Sequence, residues 1–294
     1  EIRSCLVGSE MCIRDRVVPS QLGKAIRIND VLGRYTEFAK ITVPTSLTLN
    51  GMKIVADCAN GAAYKILPQI LSELGAEVFS VAVNPDGFNI NEECGSTKPE
   101  KAQKAVLETG ADIGICLDGD ADRVLFIDEK GLLANGDQVL GLLAKAWINK
   151  NFLNKNTVVA TVMSNLALEL YLEKIGVSLI RTQVGDKNVS KCMNKEGLNL
   201  GGEQSGHLIL TDYSNAGDGL ITSLQVLSIL VESQKRASEI FDLFKPFPQS
   251  LINIDAQKCN DFEKNEQIKN MLGDVQHSLR GKGRILIRKS GTED

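Results

Sequence analysis

One pattern narrows the possible folds more than any other. From Met52 onward, short β-rich apolar runs alternate with longer stretches of helical period. MKIVADCA reads as a strand closed by the turn pair Asn60-Gly61, and AYKILPQILSELG as a helix stopped at Gly75. AEVFSVAV is the next strand. KPEKAQKAVLETG is the next helix, with Pro99 near its start and Gly110 at its end; ADIGICLD and VLFIDEKG are strands again. When a helix separates two strands they cannot form a tight hairpin, and the helix must cross the sheet and return the chain parallel. Residues 42–136 are therefore expected to form an α/β domain with a largely parallel sheet.

The same grammar then repeats. GDQVLGLLAKAWINK, NLALELYLEKIG and KNVSKCMNKEG read as helices, TVVATVM and VSLIRT as strands, and NLGG leads into EQSGHLIL. GDGLITSLQVLSILVESQ reads as a long amphipathic helix. This predicts a second α/β domain over 137–246, a structural repeat of the first without a sequence self-match to prove it. After FKPFPQ the style changes to SLINIDA, a polar helix and GRILIRKSGTED, so 247–294 is expected to be a C-terminal α+β domain cut short. At the other end, EIRSCLVGSEMCIRDR resembles the in-frame translation of a sequencing adapter, and residues 1–16 are expected to be an artefact outside the fold. Residues 17–41 are expected to be the remnant of a preceding domain, with a Thr/Ser/Pro-rich linker over 41–50.

Bulk properties exclude several classes. A net charge of −4 and an aromatic content of 5% give no electrostatic or stacking case for nucleic acid. No apolar run reaches the ~18 residues of a membrane span. Seven scattered cysteines without a CxxC pair read as reduced thiols of a cytoplasmic protein, and the oligomeric state is left open.

Four stretches carry chemistry. In LDGDADRVLFID, Asp118, Asp120 and Asp122 alternate on a loop after a strand, followed by Arg123. Carboxylates so close repel unless a cation compensates them, which favours a metal; magnesium suits because it keeps positions open for phosphate oxygens. An EF-hand loop fails where Arg123 stands in place of the turn glycine; an aspartyl-phosphate nucleophile and a solvated acidic turn remain as alternatives. In LGGEQSGHL, Glu203 and Ser205 suit sugar hydroxyls. His207, which alone would read as structural, stands where it can move a proton at a substrate hydroxyl. In ILIRKSGTE, Arg288, Ser290, Gly291 and Thr292 supply a guanidinium, hydroxyls and backbone N–H groups for an anion, with phosphate the usual guest. Gly185 and Asp186 lie where a strand gives way to a helix, a ligand-facing position in α/β folds, although helix capping is the more ordinary duty of Asp186. The loops DCANGAA and NPDGFNINEECGST read as turns.

DGDADR, VGD, GGEQSGH and RKSGTE, in that order, resemble the α-D-phosphohexomutase superfamily, over nearly all of Val17 to Glu293. The resemblance implies consecutive α/β domains and a smaller last domain around a cleft. It assigns magnesium to Asp118, Asp120 and Asp122, places Arg123 beside a phosphoserine, and puts His207 near the reacting centre. Glu203 and Ser205 become the sugar-hydroxyl contacts, Gly185 and Asp186 a loop orienting the sugar, and Arg288, Ser290, Gly291 and Thr292 a clamp on the distal phosphate. Asp186 and Gln204 favour the branch acting on amino sugars, which interconverts glucosamine 6-phosphate and glucosamine 1-phosphate through glucosamine 1,6-bisphosphate. The mannose/glucose branch is the nearest alternative. The family's serine loop, Ser-His-Asn-like, has no match here, and Asp294 stands where the family usually has proline. The chain is thus expected to be inactive alone, and a non-catalytic fragment binding magnesium or sugar phosphate is a further alternative.

Overall fold

The computed structural model describes residues 30–250 and 266–279, together with Gly23, Ile252 and 283–287. The adapter-like residues 1–16 lie outside them, as do Arg288, Ser290, Gly291 and Thr292. The chain divides into two compact units at Tyr35/Thr36, and both sheets belong to the second. That unit starts within helix α1 (Val31–Ile41).

The first sheet is built from β1 (Lys53–Asp57), β2 (Glu77–Val81), β3 (Ile113–Leu117), β4 (Val124–Asp128) and β5 (Leu133–Ala134), in the order β2-β1-β3-β4-β5. Helix α2 (Ile66–Glu73) joins β1 to β2, and α3 (Glu100–Thr109) joins β2 to β3, so β1 pairs parallel with both neighbours. The expectation of a largely parallel sheet fails beyond β3, where β4 and β5 are antiparallel. The register shows why. Leu117 pairs with Val124, so only residues 118–123 connect β3 to β4, too few for a crossover.

The second sheet follows the same plan. It contains β6 (Thr157–Thr161), β7 (Ser178–Thr182), β8 (Leu200–Gly202) and β9 (Leu208–Leu210), in the order β7-β6-β8-β9. Helices α5 (Leu166–Lys174) and α6 (Asp186–Glu196) make the crossovers, and β8 turns antiparallel into β9 through residues 203–207. Strand for strand, β2-β1-β3-β4 and β7-β6-β8-β9 are one topology used twice. Helix α4 (Gly136–Asn149) leads out of the first unit of this plan and α7 (Gly219–Ser233) out of the second, followed by α8 (Ala237–Phe241).

Strand β4 is buried along its whole length because both its faces are covered. Side chains alternate across a strand, so Ile127 joins Val55, Ala102, Val106 and Cys116 on the α3 side. Phe126 points the other way and meets Phe241 of α8, ring centroids 5.7 Å apart. Burying each such side chain is worth about 2–3 kcal/mol. Helix α7 corrects a sequence expectation. It is buried almost all round over its first nine residues, because it packs on β3 and β4 of one sheet and on β9 of the other. A helix covered on several sides has no polar stripe to display. The last helix, α9 (Glu266–Ser278), is polar as expected, whereas residues 283–287 pair with no strand.

Candidate functional site

The strand alternation delivers the acidic loop to the C-terminal end of β3, the side of a parallel sheet where ligands gather. There Asp118, Asp120 and Asp122 each offer a carboxylate oxygen, and the three oxygens lie within 4.8 Å of one another. Asp118 is buried, whereas Asp120 is exposed. Burial pushes the Asp118 carboxyl up to about 6, and the charges of Asp122 and Asp120 push the same way; the N–H of Arg123, donating to Asp118 Oδ1 at 3.1 Å, opposes them. The Arg123 guanidinium stands 3.7 Å from both Asp118 and Asp122, too far for a hydrogen bond and not enough to neutralise three acids. Asp122 Oδ1 is buried and accepts no hydrogen bond. An orphaned carboxylate oxygen among hard oxygen donors fits a divalent cation such as magnesium, whose ligand oxygens sit about 3–4 Å apart.

The loop of residues 203–207 occupies, in the second sheet, the place that 118–123 occupies in the first, and the two loops meet. Arg123 and His207 form an antiparallel bridge, and the Val124 N–H donates to the Gly206 carbonyl at 3.1 Å. The exit helices cross over to hold the opposite loop. Gly136 at the start of α4 donates to the Gln204 carbonyl (3.0 Å), and Gly219 at the start of α7 donates to the Ala121 carbonyl (2.9 Å). Both positions demand glycine by proximity. A Cβ on Gly136 would fall 2.1 Å from the Glu203 carbonyl oxygen, and one on Gly219 would fall 2.9 Å from that of Arg123. Asn135 and Asp218 cap these two helices by accepting from their first-turn N–H groups.

His207 is thereby brought to the acidic loop, its Nδ1 3.1 Å from Asp122 Oδ2. A carboxylate only accepts, so this contact places the proton on Nδ1. Glu203 Oε1 accepts from the Gly185 N–H at 3.0 Å, which ties the loop of Gly185 and Asp186 to the same place. Asp186 begins α6 without capping it, and the N-cap position falls to Gly185, whose backbone makes no side-chain cap. Asp186 and His207 line one cavity of about 450 Å³ with Lys187, Ser190 and Asn215. Ser205 is exposed.

Sequence reading missed the support beneath the acidic loop, having taken DCANGAA and NINEECGST for ordinary turns. Buried Asp57 accepts from the Ala59 N–H (3.0 Å) and from the Gly95 N–H (2.8 Å), pinning both turns together. They then grip the loop by its backbone. Ala62 donates to the Gly119 carbonyl at 2.8 Å and Ser96 to that of Leu117 at 2.9 Å. A Cβ on Gly61 would lie 2.2 Å from the Gly119 oxygen. The one signal available was an aspartate ending an otherwise apolar strand, a charge too costly to bury without partners.

Residues 34–131 match the family model described as phosphoglucomutase/phosphomannomutase alpha/beta/alpha domain II, and residues 135–247 match domain III of the same family. The phosphoglucosamine mutase of Zymomonas mobilis is 52% identical over 275 residues, covering 94% of this chain and 62% of that protein. That of Dinoroseobacter shibae is 51% identical, covering 100% of this chain and 65% of the relative. The chain thus spans less than two thirds of these relatives' length. Among solved structures, the Aspergillus fumigatus N-acetylphosphoglucosamine mutase in complex with GlcNAc-6P and magnesium shares the fold, with a TM-score of 0.69 and 23% identity over 88% of this chain and 64% of that one. A Burkholderia thailandensis phosphoglucomutase/phosphomannomutase family protein gives 0.65 at 24% identity, over 75% and 47%. With two consecutive family domains, the sheet plan repeated in each and the acidic and GEQSGH loops joined between them, the chain belongs to the α-D-phosphohexomutase superfamily.

Proposed function

We propose that this chain supplies the magnesium-binding and sugar-binding parts of a cytoplasmic phosphoglucosamine mutase, which interconverts glucosamine 6-phosphate and glucosamine 1-phosphate. The observation that supports the reading is the backbone junction of Arg123 and Val124 with Gly206 and His207, which sets the loop of Asp118, Asp120 and Asp122 directly beside the loop of Glu203 and Ser205. The half-identical relatives carry that activity in their names and support the same choice.

In this reading Asp118, Asp120 and Asp122 hold magnesium, which when bound supplies positive charge against the phosphoryl oxygens. Arg123, a guanidinium at the mouth of that loop, pairs with an oxygen of the group in transit. Glu203 and Ser205 bind sugar hydroxyls, and Gly185 and Asp186 orient the ring. His207 holds Asp122 through Nδ1 and closes the side of the site toward the sugar. Arg288, Ser290, Gly291 and Thr292 grip the phosphate that is not reacting. A serine phosphate gives its phosphoryl group to the sugar hydroxyl, leaving glucosamine 1,6-bisphosphate. The serine then takes back the phosphate at the other end, so no net phosphate is consumed. We place that serine outside these 294 residues and expect the chain alone to bind without turnover.

Titration calorimetry tests the reading. The chain should bind Mg²⁺ and, in its presence, glucosamine 6-phosphate in preference to glucose 6-phosphate or mannose 6-phosphate. Equal Mg²⁺ binding by the chain and by Asp120→Asn, whose side chain is exposed and carries no part of the core, would remove the metal assignment. Preference for a neutral hexose phosphate would move the protein to the other branch.

A further inference from the structure

The turn between β6 and α5, residues 162–165, collects polar contacts from four separate parts of the chain. Asn165 is 2% exposed, and its side chain forms a reciprocal pair with the backbone of Phe247, Oδ1 accepting at 3.0 Å and Nδ2 donating at 2.9 Å. Its own N–H donates to Oδ2 of buried Asp137 at 2.8 Å. Gln249 Nε2 donates to the Met163 carbonyl (3.3 Å), and Gln249 Oε1 accepts from Gln204 of the sugar loop (3.0 Å). Finally, Arg284 reaches back about 120 residues, its Nη2 donating to the carbonyls of Val162 (2.7 Å) and Ser164 (2.9 Å).

The Arg284 contact is an expensive way merely to fasten a surface segment. Arg181 Nη1 already donates to the same Ser164 carbonyl at 2.9 Å, so two guanidiniums converge on one acceptor. Burial and the neighbouring Arg181 both disfavour the charge of Arg284, with Glu169 and Asp137 opposing. Both bonds come from one terminal nitrogen, Nη2, whose two N–H groups are held in the guanidinium plane, whereas lysine offers a freely rotating ammonium on a shorter stem. Arg284 also stands four residues ahead of Arg288, within about 14 Å of extended chain. The turn therefore links two places that must keep a fixed separation if both ends of one ligand are gripped. On one side is Gln204, in the loop that carries Glu203 and Ser205; on the other is the segment that runs into Arg288, Ser290 and Thr292.

We propose that Arg284 is a positioning residue, which docks the segment leading to the phosphate clamp onto the 162–165 turn and so sets its distance from the sugar loop. This rests on the proposed function for the clamp itself. It places sugar-phosphate affinity partly under the control of a residue that touches neither sugar nor metal.

Two measurements on the whole chain test it, comparing the parent with Arg284→Met and Arg284→Lys. Hydrogen exchange reads the docking, and calorimetry with glucosamine 6-phosphate, glucosamine and Mg²⁺ reads the consequence. Arg284→Met should speed exchange at 283–287 and 247–249 and weaken glucosamine 6-phosphate tenfold or more. It should leave Mg²⁺ affinity and the weak binding of glucosamine unchanged, and Arg284→Lys should recover only part of the loss. Unaltered exchange in Arg284→Met overturns the docking. Faster exchange with unaltered glucosamine 6-phosphate affinity overturns the positioning role, as does an equal loss of Mg²⁺ affinity, which would mean general damage. A parent chain that binds no sugar phosphate sinks the function proposed above and the positioning role with it, while exchange still decides the docking.

Discussion

Replacing Gly206 by alanine should separate the two loops on which the site depends, and the cost can be worked out against an internal control. Gly206 has φ +95°, and an added Cβ would lie 2.3 Å from the Val124 carbonyl oxygen. Gly87 has nearly the same φ, +94°, but its Cβ would meet nothing within 4 Å. Both substitutions carry the strain of a left-handed residue, about 1–2 kcal/mol. Only Gly206→Ala must also push two backbone segments apart by about 1 Å in a close-packed region, which costs about 1–3 kcal/mol more. It also weakens the Val124 to Gly206 hydrogen bond, worth about 1 kcal/mol. The totals are about 3–6 kcal/mol against about 1–2. In a protein of this size they lower the melting temperature by about 10 °C and about 4 °C respectively. Differential scanning fluorimetry with and without Mg²⁺ reads both variants, and Gly206→Ala alone should lose most of the melting-point gain that glucosamine 6-phosphate gives the parent. If the two variants melt together, or if Gly206→Ala keeps full ligand stabilisation, the junction does not hold the loops as argued.

Three further outcomes follow from the geometry. Mg²⁺ at a hundred times its dissociation constant should stabilise the chain by about 2.7 kcal/mol, an effect that Asp120→Asn abolishes in the same melting assay. Burial holds Asp57 and Asp137 above the ordinary carboxylate range, so the folded chain keeps their protons to higher pH than the unfolded chain does. Their contribution is fully present below about pH 4 and is lost as pH rises through the folded values. The stability deficit of Asp57→Asn relative to the parent, followed in EDTA by denaturant titration, should therefore shrink from pH 4 to pH 7; a widening gap contradicts the sign. Of the four described cysteines, Cys192 should be alkylated first in peptide mapping. Cys58, Cys94 and Cys116 are buried, and burial pushes the Cys58 thiol up to about 12.

The alternation of strands and helices was legible in the sequence because each strand is a short apolar run and each crossover helix ends at a recognisable stop such as Gly75 or Gly110. The acidic loop was legible for another reason: three aspartates in five residues have few structural uses. What escaped was everything decided by three-dimensional closure. The antiparallel turn into β4 depends on the shortness of 118–123, and its pairing partner is not marked in the sequence. The burial of α7 depends on a second sheet arriving from behind, which its own residues announce only as an unusually apolar helix. Gly61, Gly136 and Gly219 look like any turn or helix-end glycine until the backbone they must approach is in place. Asn165 reads as a helix cap, and it is one, accepting from the Ala167 N–H; its second duty toward Phe247 is 82 residues away in the chain.

The crossed arrangement of the two exit helices has a consequence for how such proteins change. The 118–123 and 203–207 loops are held to each other largely by main-chain carbonyls and N–H groups, with glycine at 136, 206 and 219 where a side chain would collide, and the His207–Asp122 contact adds to them. Side chains such as Ser205 and Asp186 take no part in that scaffold, so they are released from any duty of assembly. Under the proposed function, substitution there retunes which hexose is accepted while the 118–123 loop and its partner keep their mutual register. A duplicated α/β unit that meets its copy through the backbone is thus a frame on which exposed side chains can drift without first loosening the fold.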